Sequence, residues 1–572
     1  MTTLLTDNLP LLAGAPNGIK KLRELILELA VRGKLVPQEL NDEPASELIK
    51  RIEAEKARLV AEGRMKKQKA LADIGEEEKP FNVPTNWEWV RVASVGHDWG
   101  QKTPDKAFTY IDVGAVDNAA GRISTPQFLM AGDAPSRARK VVRPGTVIYS
   151  TIRPYLLNVA VIDEAYEHEP IASTAFAIIH PYLKMPARYF LYYLRSPVFV
   201  RYVESVQMGI AYPAINDGLF FSGLVPLPPL AEQHRIVAKV DELMALCDRL
   251  EAQQADADSA HVQLVQALVD SLTQASDATD FAASWQRLAQ HFHTLFITES
   301  SIDALKKALL QLAVMGKLVQ QDPNDEPAST YYARHLALPK NSVRSGKQKI
   351  KEKTLIDLNT LPNIPDSWTY KTVDQLYQSG HIFDYADGNH GSFYPRKEEF
   401  SDDGVVFLTA AQITDSGSIL WEDCPKLSHK KAAQLTKGWS RLGDVFYTHN
   451  ATVGRTALSL GGVQESFLLG TSVTFYRVNN DSISQPYLYR YFSSSSWAAQ
   501  AELVMRQTTR NQVSITKQAL FFIALPPLAE QHRIAAKVDQ LMARCDQLKT
   551  RLAQARQLNE QLASTLVEQA VT

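Results

Sequence analysis

A chain of 572 residues is too long for one hydrophobic core and, at about 150 residues per domain, suggests three or four units. Its 45% hydrophobic and 22% charged residues are the balance of a globular protein, no apolar run approaches the ~20 residues of a membrane span, and three scattered cysteines exclude a disulfide framework or a CxxC metal site. A net charge of −2 excludes a uniformly cationic nucleic-acid binder, although a basic groove on one face can coexist with acidic helices elsewhere. The opening MTTLLTDNLPLL lacks the basic flank and apolar core of a secretory signal, so the cytoplasm is the expected compartment, with no membrane partner.

In chain order, residues 1–80 form an N-terminal helical region, in which Ile19 to Gly33 carries Ile-x-x-Leu spacing and ends at a glycine suited to a left-handed cap. Residues 81–226 read as short strands between turns, such as 141–152 and 171–180, followed by a helical patch at 187–197. Residues 227–361 are a central helical region and spacer. Here Pro226, Pro228 and Pro229 end a strand and open a helix, whose heptad positions Ile236, Val240, Leu243, Cys247 and Leu250 continue through Gln254, Ala257 and His261 to Leu264 and Leu268. Unbroken from Leu230 to Leu272, this helix spans about 60 Å. A second short helix is expected at Ile302 to Gly316. Residues 362–525 form a second strand-rich domain, with strands at 404–413 and 471–478 and a helical patch at 485–495. Residues 526–572 are a C-terminal coiled-coil helix with Ile534, Val538, Leu541, Cys545, Leu548, Leu552, Ala555, Asn559, Leu562 and Leu566 in the same four-three rhythm. So narrow a seam suits a helix laid against a helix, and polar Gln254, His261 and Asn559 would fix its register.

The chain is written twice. Residues 228–251 return as 526–549 with 19 of 24 positions identical. LAVRGKLV at Leu29 to Val36 recurs as LAVMGKLV at Leu312 to Val319, NDEPAS at Asn41 to Ser46 recurs at Asn324 to Ser329, and Pro84 and Trp87 match Pro365 and Trp368. The strand-rich domains between these motifs resemble each other only in patches. A near-identical scaffold thus carries two diverged domains, and the fold class expected is α+β: two mixed α/β domains joined by long helices forming an antiparallel coiled coil, a pseudo-twofold internal repeat.

Contact with nucleic acid calls for loops carrying Arg, Lys, Asn, Gln and Tyr, which bond base edges or phosphates. In the first domain the candidates are Lys102, the cluster Arg137, Arg139, Lys140 and Arg143 around a turn, Arg153 and Tyr155, and Tyr212 and Asn216 within MGIAYPAIND. In the second they are His449, Asn450, Thr452 and Arg455 in a glycine-containing turn, and the polar run Arg506, Gln507, Thr508, Thr509, Arg510, Asn511 and Gln512, the counterpart of MGIAYPAIND. Rival readings are a cryptic nuclease, a thiol enzyme pairing Cys247 or Cys545 with His234 or His532, or a tandem scaffold for RNA or glycan. The cysteines fall on heptad positions, where burial in a seam explains them better, and Pro104-Asp105-Lys106 lacks the spaced second acid and lysine of a nuclease.

The duplicated PPLAEQHRI helices, the GDVFYTHNATVG turn at Gly443 to Gly454 and the tandem layout together resemble the specificity (S, HsdS) subunits of type I restriction-modification systems across essentially the whole chain. The second copy carries the family's Gly-Asp and Ala-x-x-Gly elements as Gly443, Asp444 and Ala451 to Gly454. The first has RPGTVIYSTIRP, without the aspartate. The resemblance implies a non-catalytic subunit whose two target-recognition domains each read one half of a split, asymmetric site on double-stranded DNA while the helices set the gap. It also implies two modification subunits that use S-adenosylmethionine to methylate adenine N6, and two restriction subunits driven by ATP with Mg2+. DNA-mimicking anti-restriction proteins of phage are a further expected partner. The chain has no Asn/Asp-Pro-Pro-Tyr/Phe methyltransferase motif and no GxxxxGK[ST] phosphate loop, so no cofactor is expected in it.

Overall fold

In each half of the chain the repeated motifs converge on the first turn of a long helix. The computed structural model describes residues 9–65, 72–209, 211–275, 278–335, 356–389, 394–461, 464–506 and 511–571. The chain forms two units, one of residues 1–257 and 555–572, the other of residues 258–554. In the first, Glu232 of the helix Leu230–Thr273 is fully buried and accepts hydrogen bonds from Trp87 Nε1 at 2.9 Å and Gln38 Nε2 at 2.6 Å. One turn on, Arg235 pairs with Asp42 at 2.6 Å. The second unit repeats this on the helix Leu528–Val571, where Glu530 accepts from Trp368 Nε1 at 3.0 Å and Gln321 Nε2 at 2.5 Å, and Arg533 pairs with Asp325 at 2.5 Å. Gly33 and Gly316, at φ +69° and +71°, lie so close that a Cβ would strike Pro84 and Pro365 at 2.6 and 2.5 Å. The motifs recur because each supplies one part of the same clamp.

Burial pushes the Glu232 and Glu530 carboxyls above the usual range, against the bonds from tryptophan and glutamine that pull them down. A carboxyl raised by folding holds its proton more tightly in the folded state. Its contribution is therefore complete below the ordinary glutamate range and is lost as pH rises through the raised value. Glu232→Gln and Glu530→Gln keep an acceptor for the indole and remove the titration, so urea melts from pH 4 to 8 should show a shallower decline of stability with rising pH in both variants than in the parent.

Each strand-rich domain leaves its helical scaffold through one two-stranded ribbon. Glu88–Arg91 pairs antiparallel with Leu224–Leu227, and Thr369–Thr372 with Phe522–Leu525. Pro226 lies inside its strand rather than after it, which a strand with a single partner tolerates. The first domain contains a four-stranded and a six-stranded sheet, the second a four-stranded and a five-stranded sheet. In both, a central antiparallel pair is buried on both faces: Val147–Ser150 against Phe176–Pro181, and Val445–Thr448 against Val473–Val478. Tyr189 and Tyr487 donate to the carbonyls of Pro226 and Ala524 and fasten the following helices to the ribbons.

The two long helices each run 44 residues and pass from one unit to the other near their midpoints. Within the first unit, Ile236, Val240, Leu243 and Cys247 are buried in one cluster with Leu22, Leu25 and Ile26 of the leading helix Gly18–Val31 and with Ala563 and Ala570 of the C-terminal helix; Leu250 is half-buried against it. Arg23 binds Asp248 and Glu251 at 2.5 and 2.9 Å, and Lys21 donates to Ser564 at 2.7 Å. Within the second, Ile534, Val538, Leu541 and Cys545 share a cluster with Val265, Val269 and Leu272 and with the leading helix Glu299–Val314, while Leu548 and Leu552 flank it. Lys549 pairs with Asp303 at 2.6 Å, and Lys306 with Asp546.

The expected seam needs a correction in its middle. Residues 251–260 and 553–559 are exposed on every side, Gln254, Ala257, Ala555 and Asn559 among them, and beyond these stretches the buried face resumes one residue later than a heptad places it. Leu264 is 51% exposed where Val265 is 3%, and Leu562 48% where Ala563 is 0%. From Cys247 to Val265, and again from Cys545 to Ala563, the step is 18 residues, five turns of a straight 3.6-residue helix rather than of an underwound 3.5-residue one. His261 is a capping contact instead of a register polar residue, its Nε2 lying 2.9 Å from the Leu295 carbonyl. Among the described residues, no helix is long and apolar enough to cross a membrane.

Candidate nucleic-acid interface

At the end of the central strand of each domain, two loops lie side by side. In the first unit, residues 151–157 are joined to residues 211–215 by Arg153 N to Pro213 O at 2.8 Å, Ile215 N to Thr151 O at 2.9 Å and an Ile152–Ala214 bridge, while reciprocal Met208–Ala214 bonds at 2.8 and 2.9 Å close the second loop on itself. In the second, residues 449–454 lie against Asn511 and Gln512 through Ala451 N to Asn511 O at 3.2 Å, Val513 N to His449 O at 2.9 Å and an Asn450–Gln512 bridge. Arg153 and Ala451 occupy the same position after the strand, and both are left-handed, at φ 48° and 60°. The paired stretches thus form a two-loop platform whose described residues are joined by the same backbone bonds in both units.

At the other end of the same strand the two copies solve one packing problem with different side chains. Asp444, buried, accepts from Ser440 Oγ at 2.8 Å, from Arg441 N at 2.9 Å, and from both Nε and Nη2 of Arg477 at 2.9 and 2.7 Å. In the first unit Thr146 stands in that place. Its hydroxyl accepts from Arg143 N at 3.2 Å and lies 3.0 Å from Nδ1 of His180, the residue standing where Arg477 does. Burial, with His97 and Arg143 nearby, holds His180 down to about 4, so the ring is neutral at pH 7. A neutral Thr–His pair thus replaces an ion pair at the start of the strand.

The candidates from sequence divide sharply. On the first platform Arg153 and Tyr155 are exposed, and the Arg153 guanidinium sits 5.3 Å from the ring centre of Tyr212, itself 71% exposed. On the second, Asn450 is half-buried and Thr452 and Asn511 are exposed, with Gln512 half-buried. Gln507, Thr508, Thr509 and Arg510 lie outside the described residues. Arg506 is exposed but paired with Glu502 at 2.7 Å, one turn back in the helix Ser495–Met505.

Several others are structural. Residues Ala138–Val141 form a strand and not a turn, so alternation sends Lys140 inward, where Nζ donates to Phe176 O at 2.6 Å and meets Asp217 at 3.3 Å. Arg139, on the opposite face, is half-buried with Nη1 on the Ala138 carbonyl; Arg137 is exposed, and exposed Arg143 lies 4.0 Å over the Trp99 ring. Lys102 is held by Glu169 and Asp105. Asn216 caps the helix Asp217–Ser222, accepting from Leu219 N at 2.8 Å. His449 is 3% exposed, with Nδ1 2.9 Å from Thr474 Oγ1. Arg455 is tied to Asp415 at 2.6 Å and to the Ile413 carbonyl at 3.0 Å. Sequence reading by polarity also passed over Ile152, Leu156 and Met208, exposed apolar residues on the first platform. Their signal was an apolar run inside a turn.

Comparison with known proteins matches residues 84–257 and 375–557 to the type I restriction modification DNA specificity domain. The chain is 33% identical over 569 residues to the specificity subunit of the type I restriction enzyme EcoAI of Escherichia coli, covering 97% of this chain and 94% of that one. It is 33% identical over 579 residues, with the same coverage, to the EcoEI specificity subunit of Escherichia coli. Among solved structures, a chain from work on complex assembly and conformational transition of the type I R-M system shares its fold, with a TM-score of 0.52, 24% identity, and 86% of this chain and 99% of that chain covered.

Proposed function

The chain belongs to the type I restriction-modification DNA specificity family, and from that premise we propose that each of its two platforms reads one half of a bipartite, asymmetric DNA site. The observation that carries this is the repetition of one loop geometry with different side chains, the arrangement expected when two readers share a task and differ in what they recognise. The long helices act as the spacer, since a continuous helix of fixed residue number does not stretch.

The chain selects; its partners react. Two modification subunits carrying S-adenosylmethionine would methylate adenine N6, and two restriction subunits using ATP and Mg2+ would translocate and cut. Phage proteins that mimic DNA would compete for the same platforms, and the assembly would act on DNA in the cytoplasm. Burial in the helical clusters pushes the Cys247 and Cys545 thiols up, the opposite of what a nucleophile needs.

Residues 81–226 hold 13 basic and 12 acidic side chains, too little excess charge for tight binding by counterion release. Modification subunits closing on the duplex would supply the phosphate contacts, leaving this chain to read bases. Anisotropy titration at 150 mM salt should therefore show weak, undiscriminating binding by the isolated chain and specific binding by its complex with modification subunits. Full specificity without partners would contradict the division of labour.

A further inference from the structure

The first platform carries a cluster of exposed apolar side chains. Ile152, Tyr155, Leu156, Met208 and Tyr212 are exposed by 38, 52, 40, 57 and 71%, and all lie on the two joined loops. Single exposed hydrophobic side chains are ordinary, but five on one paired-loop surface are a patch. In the register set by Arg153 and Ala451, the second unit carries Asn450 in place of Ile152, Val453 and Gly454 in place of Tyr155 and Leu156, and Asn511 and Gln512 in place of Pro213 and Ala214. The apolar surface is held in place. Arg153 is left-handed at φ 48°, its guanidinium covers one side of the Tyr212 ring, and Gly209, at φ +91°, is so close to the Tyr212 carbonyl that a Cβ would meet it at 2.8 Å.

Taking the platforms as the DNA readers argued above, we propose that the first reads its half-site through a thymine methyl group held against Tyr212 and Met208, whereas the second reads through hydrogen bonds. The aliphatic side chains and the faces of the tyrosine rings, as distinct from their hydroxyls, gain nothing against phosphate oxygens. Pressed on the donors and acceptors of a base edge, they would strip those groups of water without replacing the lost bonds. The one apolar feature that a base pair offers in the major groove is the C5 methyl of thymine. Arg153, fixed beside the ring, brings a cation to the flanking phosphate and sets the depth at which the ring arrives.

The test uses the complex of this chain with its modification subunits and duplexes in which each thymine of the site is replaced singly by deoxyuridine, which removes the methyl and keeps every hydrogen-bonding group. At least one replacement in the half read by residues 81–226 should weaken binding by roughly three- to tenfold, the scale of one buried methyl. In Tyr212→Ala and Met208→Ala complexes that penalty should shrink to under about twofold. Both side chains are exposed, so thermal melting should match the parent. Uracil tolerated throughout that half, or a penalty unchanged in both variants, overturns the proposal. In each of these outcomes specific binding to the unsubstituted site would leave the assignment of the platforms as readers standing, and its loss would remove that assignment instead.

Discussion

Trp87→Ala is expected to cost the first unit about 3–5 kcal/mol, and Trp368→Ala the second unit as much. Each indole is nearly inaccessible, at 3% and 5% exposure, and each also donates to a buried glutamate that would be left with one partner fewer. The cavity and the stranded carboxylate act together, so the loss should exceed that of Glu232→Gln or Glu530→Gln, which keep the indole in place. Native-state hydrogen exchange checks this directly. Trp87→Ala should deprotect the ribbon Glu88–Arg91 and the first turns of the helix Leu230–Thr273, and Trp368→Ala the ribbon Thr369–Thr372 and the start of the helix Leu528–Val571.

Removing Asp444 should be nearly as severe. Asp444→Ala leaves the Arg477 guanidinium, itself only 20% exposed, without its bidentate partner and frees Ser440 and the Arg441 amide, a loss of about 3–5 kcal/mol by the measure of broken buried pairs. The first unit supplies the remedy. If Thr146 and His180 are the neutral equivalents of Asp444 and Arg477, then Asp444→Thr combined with Arg477→His should recover most of what Asp444→Thr alone loses, as read from denaturant midpoints at pH 7. A double variant no better than the single one would show that the two pairs are not interchangeable.

Sequence made the scaffold legible because its parts are identical residues in the same order: Gln38 and Gln321, Asp42 and Asp325, Trp87 and Trp368, Glu232 and Glu530. Repetition reveals that they matter but not that they meet, since contacts such as Trp87 to Glu232 cross 145 residues of chain. The seam was readable as far as each helix has partners. Over 251–260 and 553–559 no side chain is buried to hold the helices to a 3.5-residue period, so a heptad extended through them misses Val265 and Ala563 by one position. Lys140 shows a different limit: a strand of alternating Ala138, Arg139, Lys140 and Val141 turns a cation inward when Asp217 and a carbonyl await it. Polarity likewise pointed to His449 and Arg455, both spent on internal bonds, and away from Met208 and Leu156, which face outward.

The central claim is that each strand-rich domain is an independent reader suspended by a two-stranded ribbon. Its most direct test is methylome sequencing of cells in which residues 81–226 have been exchanged for the corresponding domain of another specificity subunit. One half of the methylated motif should change while the other half and the spacer length stay as they were. A motif altered in both halves, or a changed spacer with the helices untouched, would contradict it.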